Sequence, residues 1–477
     1  VVFFAPNLDQ SNSPDSWGGY SYGIANIADT SIHTKNLKSS QGDYYQYIPD
    51  AYDLTEAGMS IVVDVNQDWS SAALVYAGGL IVNQGMYDDV EEDFVYEEFL
   101  IDLPIANEAD QGRPAFAKVA FGPGGDVGYI MTIADNGEAE QQSGFLNFYP
   151  VYFKTVDGGE TWDGPFYVQL DGEDGIGGIV YNHLTDEQIA ELFEAPVPTR
   201  EEISYTLSFD CDIAVDQFNN LHIAVMIAPT GSDPYSIITA EGFLGAVDLF
   251  TTDGGTTWFV EEMGRPRTFR GTFGDLTEDN RICITTTYNR DKMFISWLDT
   301  DLEDEEDNNR PNIWCRGFDF NTYMKTADDS GADGPVNVTN FSAGMWQSYF
   351  GTAAQMALEN TKGSWTIPFV YEEMDPNDPA SAVQFKYITD FEFSDADFTI
   401  TAVGEKIEEP NKLGSVSQNY PNPFSGESFV TVSLTEGSEL SLEVYTITGQ
   451  MVSSNHYGYT PQGTRTLSIN GSNLPSG

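Results

Sequence analysis

Apolar and polar positions along this chain either alternate with a period of two or gather into short apolar runs, and Gly, Asn and Asp divide one run from the next. The clearest runs are 116–121, 128–134, 145–155, 164–170, 211–215, 221–227, 282–288, 293–298, 364–371 and 383–393. Aromatic and β-branched residues dominate them, which predicts strands. One stretch departs from the pattern. Thr185 and Gln188 have the spacing of a capping box, Ile189, Leu192 and Phe193 recur at i, i+3 and i+4, and Pro196 follows. That predicts a single short helix inside an irregular acidic insertion, roughly 171–205.

The strands repeat as a unit: strand, tight turn, second apolar strand, longer excursion. The turns are read at 63–69, 121–126, 215–220, 288–292 and 359–363, where Gly, Asn and Asp tolerate positive φ. Measured from Asp64, Gly122, Asp216, Asn289 and Asn360, the spacings are 58, 94, 73 and 71 residues, the longest containing the insertion. Recurring aromatic-rich units of this length predict an all-β chain whose residues 1–400 form a β-propeller. Five units are visible, and residues 15–50 would supply a sixth that closes the ring with the last. The expectation is six blades, with five or seven as alternatives.

Two segments carry a sharper signal. Thr155-Val-Asp157-Gly-Gly159-Glu-Thr161-Trp162 and Thr251-Thr-Asp253-Gly-Gly255-Thr-Thr257-Trp258 share one pattern and lie 96 residues apart, each between two predicted strands. The Asp carboxylate can accept N–H groups of its own turn, Gly supplies positive φ, and Trp can pack between neighbouring sheets. The pattern resembles the Asp-box, or BNR repeat, of sialidase-like propellers. That resemblance implies a structural role for Thr155, Asp157, Gly159, Trp162, Thr251, Asp253, Gly255 and Trp258. It implies no catalytic one, because in that family the box lies away from the catalytic face.

Beyond Phe398 the register changes. A charged linker at 401–412 leads to Tyr420-Pro421-Asn422-Pro423-Phe424, then to strand-like stretches with Gly449 in the turn between two of them, and to a final Leu-Pro-Ser-Gly. Residues 413–477 resemble the C-terminal sorting domain of proteins exported by the type IX secretion system of Bacteroidota. The resemblance implies a small immunoglobulin-like β-sandwich and export by that machinery to the exterior or the outer-membrane surface. Such domains continue past Leu-Pro-Ser-Gly, so the last strands are expected to be cleaved off, unresolved, or replaced by a strand from a partner. The Val-Val-Phe-Phe start likewise reads as a mature N terminus left by removal of an export signal.

Charge narrows the function. Asp and Glu number 75 against 20 Lys and Arg, a net −55. That excludes electrostatic nucleic-acid binding and suits a saline extracellular habitat. The longest apolar run, 74–82, is well short of the roughly 18 residues of a membrane span. Three cysteines and four histidines leave little for a zinc site or a His-based triad. No organic cofactor is expected. Calcium as a structural ion is the one inorganic expectation, with Asp329, Asp333, Asp304 and Glu305 in acidic loops as candidate ligands. A sialidase would need clustered arginines with a Tyr–Glu pair. The arginines of 265–270 are expected instead to pair with neighbouring acids such as Glu261 and Glu262, and no catalytic residue is assigned. The favoured reading is a non-enzymatic structural, adhesive or glycan- or protein-binding component of the cell exterior. Its expected partners are a surface glycan or protein, a strand donor, or further copies of itself. The alternative is a sialidase-like exo-glycoside hydrolase.

Overall fold

A computed structural model describes residues 2–8, 17–25, 32–37, 50–68, 75–105, 112–136, 146–273, 276–375, 378, 382–401, 414–416, 427–434, 437–445 and 451–471. The chain divides into two compact units, Val1–Glu405 and Lys406–Gly477.

The first unit is a succession of antiparallel sheets. Sheet I holds Val2–Leu8, Trp17–Ala25 and Ile32–Leu37. Sheet II holds Ala51–Leu54, Met59–Asp68, Val75–Asp88 and Asp93–Ile101, and sheet III holds Lys118–Phe121, Gly128–Ala134, Tyr149–Thr155 and Asp163–Tyr167. Sheet IV holds Tyr205–Val215, Leu221–Pro229, Gly245–Thr251 and Trp258–Gly264. In sheet V, Cys283–Thr286, Lys292–Asp299, Asn312–Asp319 and Met324–Thr326 are joined by Phe398–Thr401 on the outer edge. Sheet VI consists of three long strands, each interrupted once. Ser348–Ala353 with Leu358–Thr361, Ser364–Thr366 with Phe369–Glu373, and Gln384–Ile388 with Glu392–Ser394 pair side by side, with register shifts at Tyr349/Thr352 and Glu359/Thr361.

The first strands of sheets II to VI lie against one another in chain order, and each sheet meanders outward from there. This is the architecture of a β-propeller. The cores fall between sheets, as that architecture requires. Ile61, Val63 and Leu80 of sheet II meet Phe121, Val151 and Phe153 of sheet III. Sheets IV and V share Met226, Met263, Ile295 and Trp297, while Phe294 of sheet V meets Trp365 and Phe393 of sheet VI. A second strand sandwiched this way is covered on both faces, so Leu221–Pro229 is buried throughout and reads as an unbroken apolar run.

Two expectations need correction. The segment 63–69 is no turn up to Asp68: it belongs to the strand Met59–Asp68, and Trp69 lies outside the described residues. Its polar residues mimic turn chemistry but are buried, and the Asn66 amide donates to the Gly78 carbonyl at 2.8 Å. The insertion contains two helices rather than one. Asp186–Leu192 carries the Thr185/Gln188 capping box, and Gly177–Asn182 precedes it.

In the second unit, Gly414–Val416, Glu427–Leu434 and Gly463–Asn470 form one sheet, while Ser438–Tyr445 pairs with Met451–Thr460. Val430, Val432, Leu434 and Leu467 pack against Leu440, Leu442 and Tyr457, so the two layers enclose a small core. Tyr420 to Phe424, Gly449 and, of the linker 401–412, all but Thr401 lie outside the described residues.

Candidate functional site

The first strands converge on an axial channel of about 210 Å³. It is lined by charged side chains from four sheets: Asp50 and Asp53, Lys118, Asp212, and Arg290. Almost every charge has a partner in a neighbouring sheet. Asp53 accepts the Phe121 N–H at 3.0 Å, and Asp212 accepts the Ile284 N–H at 2.8 Å. The Arg290 guanidinium donates to the carbonyls of Phe121 and Val215 and faces Glu56 at 3.9 Å, so one side chain from sheet V reaches sheets II, III and IV. Burial pushes the Asp50 carboxyl up to about 7, although it accepts the Val65 N–H at 2.9 Å. Burial also lifts Asp210, to about 6, against the pull of Lys118. For Lys118 burial works the other way, but Asp212 at 3.8 Å and then Asp210 outweigh it and hold the ammonium well above its ordinary value. Sequence reasoning missed these residues. The available signal was a charge placed inside an apolar strand, as in Asp210-Cys211-Asp212 and at Lys118.

The strands alternate in direction, so the short turns at 122–127, 156–162, 216–220, 252–257 and 287–291 share one end, and the long connections share the other. The two Thr-x-Asp-Gly-Gly-x-Thr-Trp segments, 155–162 and 251–258, lie at the short-turn end, between the third and fourth strands of sheets III and IV. Asp157 accepts the N–H of Thr161 at 2.9 Å and its hydroxyl at 2.6 Å, and these bonds hold its carboxyl down at about 2. Asp253 accepts the N–H groups of Thr256 and Thr257 at 2.9 and 2.8 Å. The Thr155 and Thr251 hydroxyls accept the N–H of Gly159 and Gly255, whose φ values are 90° and 105°. Trp162 packs edge-on against Phe121 in the core of sheets II and III, and Trp258 against Tyr152 in the core of sheets III and IV.

The arginines of 265–270 are absorbed by structure. Arg265 pairs with Glu262 at 2.6 Å, Arg267 with Glu241 at 3.4 Å, and Arg270 with Asp279 at 2.6 Å. Glu261 does not join them: it pairs with Lys325 at 2.5 Å, both side chains being buried. Among the described residues the channel lining holds one arginine, Arg290. The calcium candidates are not brought together. Asp333 pairs with Arg316 and Glu305 with Arg310, and no group of three or more His, Cys, Asp or Glu suited to a metal occurs among the described residues. Asp304 and Asp329 lie in separate turns.

One further buried cluster stands out in sheet IV. His222, 2% exposed, lies between Asp248 (Nδ1 to Oδ2, 2.7 Å) and Asp216 (Nε2 to Oδ2, 3.6 Å) and against Phe320. Burial alone lowers the imidazole, but the two carboxylates outweigh it and raise it to about 9.

The long-connection end is built firmly. The insertion is pinned to the body: His183 meets the Phe243 carbonyl at 2.8 Å, Arg265 donates to the His183 carbonyl at 2.9 Å, and Gln188 to that of Gly242 at 2.8 Å. Between sheets V and VI and at the start of sheet VI, Phe341, Trp346 and Phe350 have φ of 56°, 62° and 51°. Bulky side chains avoid this left-handed region, at a cost of about 1–3 kcal/mol each, and persist there only where the surroundings enforce it. Here Asn312, fully buried, accepts the Trp346 N–H at 2.9 Å, and Asp301 accepts the indole N–H at 2.7 Å.

Comparisons with known proteins bear chiefly on the second unit. Residues 418–477 match the family of secretion system C-terminal sorting domains. No curated protein matches the chain. Among solved structures, a protein of unknown function from Dyadobacter fermentans is similar with a TM-score of 0.37 and 9% identity, over 88% of this chain and 93% of its own. A sialidase of Trypanosoma rangeli, in complex with sialic acid, scores 0.36 at 12% identity, over 91% of this chain but only 57% of its own. A polysaccharide lyase scores 0.37 at 10% identity, over 98% of this chain and 88% of its own. At these scores no residue role or activity passes to this chain. No helix among the described residues is long and apolar enough to cross a membrane. The sorting domain at 418–477 marks the protein as a cargo of the type IX secretion system, released from the cell or held at its surface.

Proposed function

We propose that this protein is a non-enzymatic binding or structural component of the cell exterior, built on a six-bladed propeller. The observation that carries this reading is how the channel charges are used. Asp53, Asp212 and Arg290 each bond backbone groups of an adjoining sheet, so they serve as ties between blades rather than as groups left for a substrate. Rigid propeller ends with long connections are suited to holding a glycan or protein partner. The reading is tested by passing the purified full chain over immobilised surface glycans and surface proteins of the producing cell, alongside a fluorogenic sialoside. Specific retention without sugar release is expected.

The second reading, a sialidase-like exo-glycoside hydrolase, draws on Asp50, whose carboxyl titrates near neutrality beside the channel. Release of sugar that disappears in Asp50→Asn or Lys118→Met would overturn the first reading in its favour.

A further inference from the structure

We infer that the outer edge of sheet VI is where two copies of this chain join, strand to strand; this goes beyond the reading above, which leaves the partner open. Sheets II, III and IV each have four strands, and sheet V has four plus the returning Phe398–Thr401. Sheet VI has three, and among the described residues no strand pairs with the outer side of Gln384–Ile388. Every blade has an outer edge, so an open one alone means little. What guards the others carries the inference. The outer strand of sheet II carries Asp93, Glu97 and Glu98, that of sheet III Asp163 and Pro165, and that of sheet IV Glu261 and Glu262. In sheet V, Phe398–Thr401 covers Met324–Thr326. Charges and proline on an edge turn other strands away. Residues 383–389 hold no Asp, Glu or Pro, on a chain of net −55. Phe385 and Tyr387 instead stand 64% and 73% exposed there, opposite Glu372 and Val370 of the middle strand. Their face is turned away from the core shared with sheet V, to which Phe369 and Tyr371 belong.

The same residues select the occupant. Antiparallel pairing of Gln384–Ile388 with its own copy, about a two-fold axis at Lys386, sets Phe385 opposite Tyr387 of the second copy, twice and on one face. Aromatic pairs placed directly across two strands are favourable. On the other face the axis brings Lys386 against Lys386, where each ammonium already faces Glu373 at 3.4 Å. The two edge strands therefore meet without bringing carboxylate against carboxylate, which is what two copies of so acidic a chain require. A basic strand would find no carboxylate on this one to pair with, and an acidic strand would find Lys386 already engaged. A contact of this symmetry closes on itself, so it yields a pair of molecules sharing one sheet rather than a fibre.

Sedimentation velocity of the full chain tests this, at roughly 0.15 and 1 M NaCl, where charges are screened beyond about 8 and 3 Å. A monomer–dimer equilibrium is expected, tighter by about tenfold in the higher salt. Phe385→Glu/Tyr387→Glu gives this edge the acids that other edges carry. It should weaken the dimer by about a hundredfold and leave the far-UV circular dichroism unchanged, because both side chains are already exposed. Under mild oxidation Lys386→Cys should form a disulfide between copies, since residues directly opposite in an antiparallel pair lie within reach of one. Glu359→Cys, exposed on the innermost strand of the same sheet, should not. A monomer at both salt concentrations, a dimer that survives the double substitution, or a dimer that Lys386→Cys fails to cross-link overturns the inference. A monomer that still retains a surface glycan overturns it while leaving the reading above standing; sugar release by the dimer strikes at that reading alone.

Discussion

The buried His222 makes the stability of the first unit depend on pH in mildly alkaline solution. Its imidazole is raised from an ordinary 6.5 to about 9 by Asp248 and Asp216. A shift of that size corresponds to roughly 3 kcal/mol of preference for the charged ring in the folded state. Burial of Asp248, whose own carboxyl is pushed up, takes back part of it. Because the folded value is the higher one, the stabilisation is complete below about 6.5 and is lost as pH rises through 9. Asp50 titrates below the interval from 7.5 to 9.5, at about 7, but burial raises the thiols of Cys211, Cys283 and Cys315 above their ordinary 9.0, so ionisation of the unfolded thiols also lowers stability there and the histidine is read from the difference between wild type and a His222 variant. All eight tryptophans precede residue 406, so their fluorescence during urea unfolding reports the first unit alone. Between pH 7.5 and 9.5 wild type should lose about 2 kcal/mol more than His222→Gln. His222→Gln should be less stable at pH 7.5 by about 2–3 kcal/mol, and the two should draw together towards pH 9.5. Equal slopes in the two proteins would refute the role assigned to the imidazolium.

Three further substitutions probe the joints of the molecule. Arg290→Met should cost about 2 kcal/mol by urea unfolding, since it removes charged hydrogen bonds to sheets III and IV and an ion pair to sheet II. Glu261→Ala should cost about 3–5 kcal/mol by leaving Lys325 buried without its carboxylate, and Lys325→Met in the same chain should restore most of it. Asp157→Ala should lower the melting temperature without altering glycan retention. The contribution of that carboxylate is present above its ordinary pKa and disappears only as pH falls through about 2, so the variant and wild type should converge in strong acid.

Much of the propeller was legible because its strands need one period and its turns need particular residues. The run at 128–134 and the capping box at Thr185 lie in the structure where the pattern puts them. What was illegible shares one cause. At 63–68, Asp64 and Asn66 look like turn residues, and only long-range burial turns them into a strand. Sheet VI reads as separate pieces because bulges break its alternation. The channel charges were invisible as a group because Asp53, Lys118, Asp212 and Arg290 meet only after four sheets have come together. The strain at Phe341, Trp346 and Phe350 has no signature in composition at all.

The innermost strand of every blade is also a sheet edge, and unpaired edges invite other chains. Where Asp53 occupies the Phe121 N–H and Asp212 the Ile284 N–H, the donors an invading strand would need are already taken. At these two positions the inner edge is blocked against strand invasion without an extra strand. Asp53→Leu should then show itself first as aggregation of otherwise folded protein, before any loss of secondary structure. That protection is a second consequence of the same two bonds, beyond the modest stability they contribute.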